Sequence, residues 1–126
     1  MATEWSQRQR VLTSLNKLTE PHTRQTGWEE LNSQAIALDA RNVQHFLSCL
    51  HTTNTRHSVA CRRGAVRMYG VLASLHAAIL HPYLPRVADS IVARARDKDV
   101  TRELRESCAA TIGVLLTEIG PEIALT

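Results

Sequence analysis

Aromatic residues are scarce in this sequence: two Trp, two Tyr and one Phe make up 4% of its 126 residues. Strands draw on aromatic and β-branched side chains, so a core supplied mainly by Leu, Ala and Val points away from a sheet and toward packed helices. Glycine and proline are also few, five and four. Most of them fall between apolar runs, which leaves little material for β-turns or a disordered tail. Cys49, Cys61 and Cys108 are an odd number, each inside an apolar helical stretch and with no hydrophobic signal segment ahead. A reducing, intracellular setting is therefore expected, without a disulfide framework. No uninterrupted apolar run approaches the ~20 residues of a membrane span. The longest, Val71 to Leu80, is broken by Ser74 and His76. Acid is missing from the middle of the chain, where no Asp or Glu occurs from Arg41 to Ala88.

That acid-free stretch holds Arg41, Arg56, Arg62, Arg63, Arg67 and Arg86 with His45, His51, His57, His76 and His81, so a net charge of +3 conceals a strongly positive middle. A positive surface is expected there.

Apolar spacing of three and four residues predicts six helices. The first, 4–18, carries Trp5, Val11, Leu12, Leu15 and Leu18, and the second, from Pro21, carries Trp28, Leu31, Ala35 and Ile36. Asp39 is placed to cap a third, with Val43, Phe46, Leu47 and Leu50 on one stripe, ended by the polar run Thr52, Thr53, Asn54, Thr55. A fourth, 56–76, is apolar around most of its circumference and reads as the buried spine. The fifth, 82–96, and the sixth, 100–118, follow, the latter with Leu104, Cys108, Thr111, Ile112 and Leu115 on one side and Gly120-Pro121 as its stop. The six pair as 4–38, 39–78 and 82–119, a period of roughly 35 to 45 residues expected of HEAT or armadillo arrays. The expected fold is therefore all-α: one domain over 1–126, an α-solenoid of about three HEAT-like antiparallel helix pairs.

The segments LNKLTE, HFLSCLHTTNTRHSVACRRGAVRMYGVLASLH and PYLPRVADSIVARARDKD resemble the start of the TORTIFOLIA1/SPIRAL2 family of plant-type microtubule-associated HEAT proteins, whose N-terminal domain is similar to tubulin-binding TOG domains. The resemblance runs from about Leu12 to Leu116. It implies a cytoplasmic, microtubule-bound protein whose intra-repeat loops line one edge that meets tubulin. On this sequence the matching positions are His22 and Arg24 in the first loop, Arg56 and His57 in the second, and Lys98 and Arg102 in the third. Arg56, Arg63 and Arg67 also share a stripe of the expected fourth helix, within about 40° of one another at 100° per residue. Tubulin is acidic, and clustered cations would steer association in a salt-dependent way.

Other readings of the same residues carry less. The stripe also reads as a solvated helix face, and the alternative function is a HEAT scaffold for another acidic or helical protein partner. His45/Cys49 and His57/Cys61 are i, i+4 pairs with a spacing that zinc sites use, but His45 and Cys49 point away from the Val43, Phe46 and Leu50 face while Cys61 aligns with Met68 and Leu75 in the expected core, and no metal or cofactor is expected. Trp5 and Trp28 read as core packing at the end of the array. Aromatics do not interleave with the arginines, which argues against nucleic acid. No Gly-rich phosphate loop, G-x-S-x-G, H-E-x-x-H or carboxylate pair beside a histidine occurs, so the function expected is binding, not catalysis.

Overall fold

The computed structural model describes residues 2–53 and 56–119, with side chains from Ser6 onward. Among them the secondary structure is entirely helical: α1 (Ala2–Lys17), α2 (Pro21–Ile36), α3 (Val43–His51), α4 (Val59–Leu75), α5 (Ala77–Leu80), a 3-10 turn (His81–Tyr83), α6 (Leu84–Ala95) and α7 (Arg102–Ile119). Helices α1/α2, α3/α4 and α6/α7 pack as neighbours, and α4 packs further on α2 and α7. The result is the all-α, solenoid-type stack expected, with α1, α3 and α6 as one layer and α2, α4 and α7 as the other. The Gly120-Pro121 stop, the Trp5 side chain, and Asn54 and Thr55 lie outside the described residues.

Helix α4 is the spine because apolar and small residues cover most of its surface. Cys61, Ala65, Val66, Met68, Tyr69, Leu72 and Ala73 are all buried. Each large apolar side chain so enclosed contributes about 1.5–3 kcal/mol relative to exposure. Its start is set by Ser58, whose hydroxyl accepts from the Cys61 N–H at 3.1 Å, an N-cap that satisfies one orphan donor of the first turn. The helix therefore begins at Val59, three residues later than the spacing suggested, and Arg56 lies ahead of it in the loop. Asp39 caps a turn instead of α3 itself: its Oδ1 accepts from the N–H groups of Arg41 and Asn42, and α3 opens only at Val43.

The close approach of α1 and α2 depends on Gly27. A Cβ there would stand 2.8 Å from the Ser14 carbonyl oxygen and 3.0 Å from Lys17 Cβ, so any larger residue must push one helix backbone from the other. Gly27→Val is expected to lower stability by about 2 kcal/mol, the usual cost of overpacking, read from urea denaturation. An unchanged midpoint would mean that the pair slides apart freely.

Three departures from the sequence reading have physical reasons. Cys49, expected to point away from the apolar face of its helix, is buried and lies 3.9 Å from the Arg8 carbonyl oxygen, because α3 is covered by α1 on one side and α4 on the other. Ile112, expected in the core, is exposed together with Leu116, since α7 is the last helix of the stack among the described residues and has neighbours on one side only. The fifth helix does not start at Pro82. His76 leaves the helical region at φ −139°, ψ 52°, a short α5 follows, and Pro82 and Pro85 each open a new element at a position that needs no N–H donor. His76 Nε2 donates to the Ala35 carbonyl at 2.8 Å, tying the end of α4 to the end of α2.

Candidate partner-binding surface

Each helix pair contributes one internal loop, 18–20, 52–58 and 96–101. Hydrogen bonds join them into one edge. Thr19 and Ser58 share a bond of 2.8 Å between hydroxyls, linking the first loop to the second. The second is linked to the third by Arg62. Its Nε donates to the His57 carbonyl at 3.2 Å, Nη1 to Asp97 at 3.0 Å and Asp99 at 2.8 Å, and Nη2 to Asp99 at 2.6 Å. Arg94, at the end of α6, donates to the Thr53 carbonyl and lies 3.2 Å from Asp97. Three loops from three helix pairs thus hold fixed relative positions.

Arg62 is therefore not part of a positive surface. It is 1% exposed, the largest fully buried side chain among the described residues, and its guanidinium fork meets Asp99 bidentately and Asp97 through one bond, the arrangement for which Arg is suited. The Asp99 and Asp97 carboxylates push its own ionisation further out of reach, while the Asp99 carboxyl is held below its ordinary value chiefly by Arg62.

The eight candidate residues divide into two groups. His22 and Arg24 stand exposed in the first turn of α2, Arg56 exposed and His57 half-buried in the second loop, and Lys98 in the third loop and Arg102 at the start of α7 are again exposed. Arg24 also donates to the Leu18 carbonyl at 3.1 Å, stapling the end of α1, and Arg102 pairs with Glu106 at 2.9 Å on the surface. The acids of the third loop are engaged by Arg62 and Arg94. Glu20 and Glu103 stand exposed on the same edge, outnumbered by the cations.

Arg63 and Arg67 form the second group, one turn apart on the outer face of α4, where Arg24 joins them. The three line a cleft of about 290 Å³ with Trp28 and Ser107. Arg63 Nε donates to the Ser107 hydroxyl at 3.2 Å, and the Arg67 guanidinium lies 4.7 Å from the Trp28 ring centroid in a cation–π contact. Trp28 is partly buried and packs against the core, as the sequence suggested. The stripe expected on one helix is thus a two-residue stripe on α4 completed by Arg24 from α2.

His51 was not singled out by the sequence. It sits between α3, α4 and α6, with Nδ1 2.7 Å from both the Tyr69 and the Ser90 hydroxyls and its ring stacked on Tyr69. Burial, with Arg86 nearby, lowers its pKa to about 4, so the imidazole is neutral at pH 7. Burial likewise pushes the Cys61 thiol up to about 11, which makes it a packing residue rather than a nucleophile. Among the described residues no group of three or more His, Cys, Asp or Glu side chains is placed to hold a metal ion, and no helix is long and apolar enough to cross a membrane.

Residues 6–124 match the family model described as TORTIFOLIA1 N-terminal. Among similar proteins of Arabidopsis thaliana, TORTIFOLIA1-like protein 2 is 36% identical over 92 residues, 73% of this chain and 11% of that protein. TORTIFOLIA1-like protein 4 is 32% identical over 102 residues, 81% of this chain and 16% of the relative. Microtubule-associated protein TORTIFOLIA1 is 29% identical over 108 residues, 86% of this chain and 12% of the relative. The chain spans between about a tenth and a sixth of the length of these relatives.

Proposed function

This chain belongs to the TORTIFOLIA1 N-terminal family, and on that premise we propose that it is a microtubule-binding module of three HEAT-type repeats, acting in the cytoplasm on the cytoskeleton and without catalysis. The observation that carries the reading is the cross-tied loop edge. Arg62 and the Thr19–Ser58 bond hold the three loops in register, and the edge so held carries His22, Arg24, Arg56, His57, Lys98 and Arg102, with Arg63 and Arg67 behind it. The relative named as a microtubule-associated protein supports the choice of partner.

Docking of this kind is electrostatic steering followed by short-range pairing. Separate cations on mobile loops would each lose side-chain and backbone freedom on binding, about 1–2 kcal/mol per residue fixed. Loops already tied together avoid much of that loss, which is how a few surface charges become a binding site.

Co-sedimentation with polymerised microtubules tests the proposal. The wild type is expected to pellet at low salt and to weaken as salt rises through about 0.1–0.3 M, where the screening length falls below about 10 Å. Reversal of the loop charges, Arg56→Glu with Lys98→Glu and Arg102→Glu, is expected to weaken pelleting by about tenfold or more, with helicity checked by circular dichroism. A wild type that stays in the supernatant at low salt overturns the proposal.

A further inference from the structure

Helices α2, α4 and α7 run in the same direction, because their early residues share one cleft and their later residues another. Arg24 and Trp28 of α2 meet Ala60, Arg63 and Arg67 of α4 beside Ser107 of α7. Further along, Asn32 and Ile36 meet Gly70, Val71 and Leu75 beside Ala110 and Val114. Arg67 and Ser107 line both hollows, so the two are successive parts of one groove floored by α4 and walled by α2 and α7. From Ala60 to Leu75 this floor is roughly 22 Å long at 1.5 Å per residue.

The two ends of the groove differ in chemistry. At the end near the loops stand three arginines, and among the described residues none of the three pairs with a carboxylate; their polar contacts go to the Leu18 carbonyl and the Ser107 hydroxyl, and Arg67 stacks on Trp28. Like charges gathered without a counter-charge repel one another, a cost that an arriving anion reverses. The Arg67 guanidinium lies over the Trp28 ring, a contact that leaves N–H donors for a carboxylate. The far end, about 630 Å³, is lined chiefly by apolar atoms and bordered by Ile36 and Leu75, which are 64% and 45% exposed. Exposed apolar side chains bordering a concave surface mark a contact site more often than a solvated one.

We propose that this groove binds an amphipathic helical segment of a partner protein, with a run of acidic residues at one end that pairs with Arg24, Arg63 and Arg67, and apolar side chains at helical spacing that cover Val71, Leu75 and Val114. A helix laid in a groove anchors through residues at i, i+3, i+4 and i+7, and roughly 15 residues fill the length of α4. The charge at one end fixes the direction in which the segment lies, so the site selects polarity as well as composition. The site lies on the layer of α2, α4 and α7; it shares Arg24, Arg63 and Arg67 with the microtubule reading, whereas its apolar half, around Val71, Ser74 and Leu75, lies apart from the loop edge.

The test uses the whole chain and a synthetic, tryptophan-free peptide of roughly 15 residues, glutamates at one end and Leu and Ile at three- and four-residue spacing beyond them. Binding is read by calorimetry and by Trp fluorescence. Two variants address the two halves of the groove: Arg63→Ala with Arg67→Ala, and Ser74→Trp, an exposed position whose new side chain fills the apolar half. Each is expected to weaken binding by about tenfold or more while circular dichroism and microtubule pelleting of the Ser74→Trp chain stay as in the wild type. The proposal is overturned if the peptide does not bind at ~1 mM, the weakest affinity of interest. It is equally overturned if polyglutamate, or a peptide with the same residues in alternating order, binds as tightly. Sedimentation equilibrium covers the remaining occupant: a wild-type dimer that Ser74→Trp converts to monomer would assign the groove to a second copy of this chain and overturn the proposal.

Discussion

Arg62→Ala is expected to remove about 3–5 kcal/mol of stability, the cost of breaking a buried ion pair from one side. The loss has two sources. Alanine leaves a void where the largest fully buried side chain had been, and it leaves Asp97, itself buried, without the guanidinium 3.0 Å away. Arg94 remains 3.2 Å from that carboxylate and limits the damage. Chemical denaturation reads the change directly, and a fall in Tm of roughly 10–20 °C should accompany it. Arg63→Ala, one position along but exposed, is expected to stay within about 0.5 kcal/mol. The double variant Arg62→Leu with Asp97→Leu should recover part of the loss, because an apolar pair of similar bulk carries no desolvation penalty. If Arg62→Ala unfolds with the wild-type midpoint, the second and third loops are not held by this residue.

Acidification from pH 7 to pH 4 is expected to destabilise the chain by on the order of 2 kcal/mol through His51 alone, after allowance for partial solvent access. The folded pKa of about 4 lies below the ~6.5 of an unfolded histidine. Between these values the unfolded chain binds a proton that the folded chain refuses. Stability is therefore complete above about pH 6.5 and declines as pH falls toward 4. The groups that face the imidazole reinforce this sense: Tyr69 and Ser90 present hydroxyls to Nδ1, and Arg86 of α6 opposes a second positive charge. His51→Gln should flatten the pH 4–6.5 segment of the stability curve while leaving the steeper fall below it. That lower segment belongs to Asp99 and Glu30, whose carboxyls are held below their ordinary values by Arg62 and by Lys17 with Ser14. Their contribution is present above the unfolded carboxylate range and lost as pH drops through the folded value. A wild-type curve that is level from pH 7 to 4.5 contradicts the assignment to His51.

The helix pairs were legible because apolar spacing and polar interruptions alternate cleanly, as in Val11, Leu15 and Leu18 followed by the Thr19–Pro21 break. What periodicity could not supply was which sides of a helix acquire neighbours. Cys49 is covered because α3 lies between two helices, a fact of tertiary order, and Ile112 is bare because the stack of described helices ends there. The loop clamp had a partial signal. Arg62 falls three residues after Val59, four before Val66 and seven before Tyr69, so its spacing places it on the inner face. Its charge, in an acid-free stretch, points the other way and favours the surface. The partners Asp97 and Asp99 come from a loop more than thirty residues away, beyond what local pattern reveals. Arg63, Arg67 and Arg24 were each visible as cations, but their convergence depends on α2 lying alongside α4.

The common direction of α2, α4 and α7 also gives their layer of the molecule an electrical polarity that no single side chain carries. Each helix places a partial charge of about +0.5 at its start, and all three starts lie along the loop edge. Acidic residues that would neutralise such a start are absent from the first turns of α2 and α4 and present in α7 only as Glu103. The ends of α1, α3 and α6 reach the same loops from the other layer with the opposite partial charge, so the two layers largely cancel at a distance and the positive starts are felt only at close range, on the α2, α4 and α7 side of the edge. An acidic partner already brought near by the side chains thus meets a local preference for that side of the edge. Charge reversal on the loops should accordingly slow arrival more than it hastens departure.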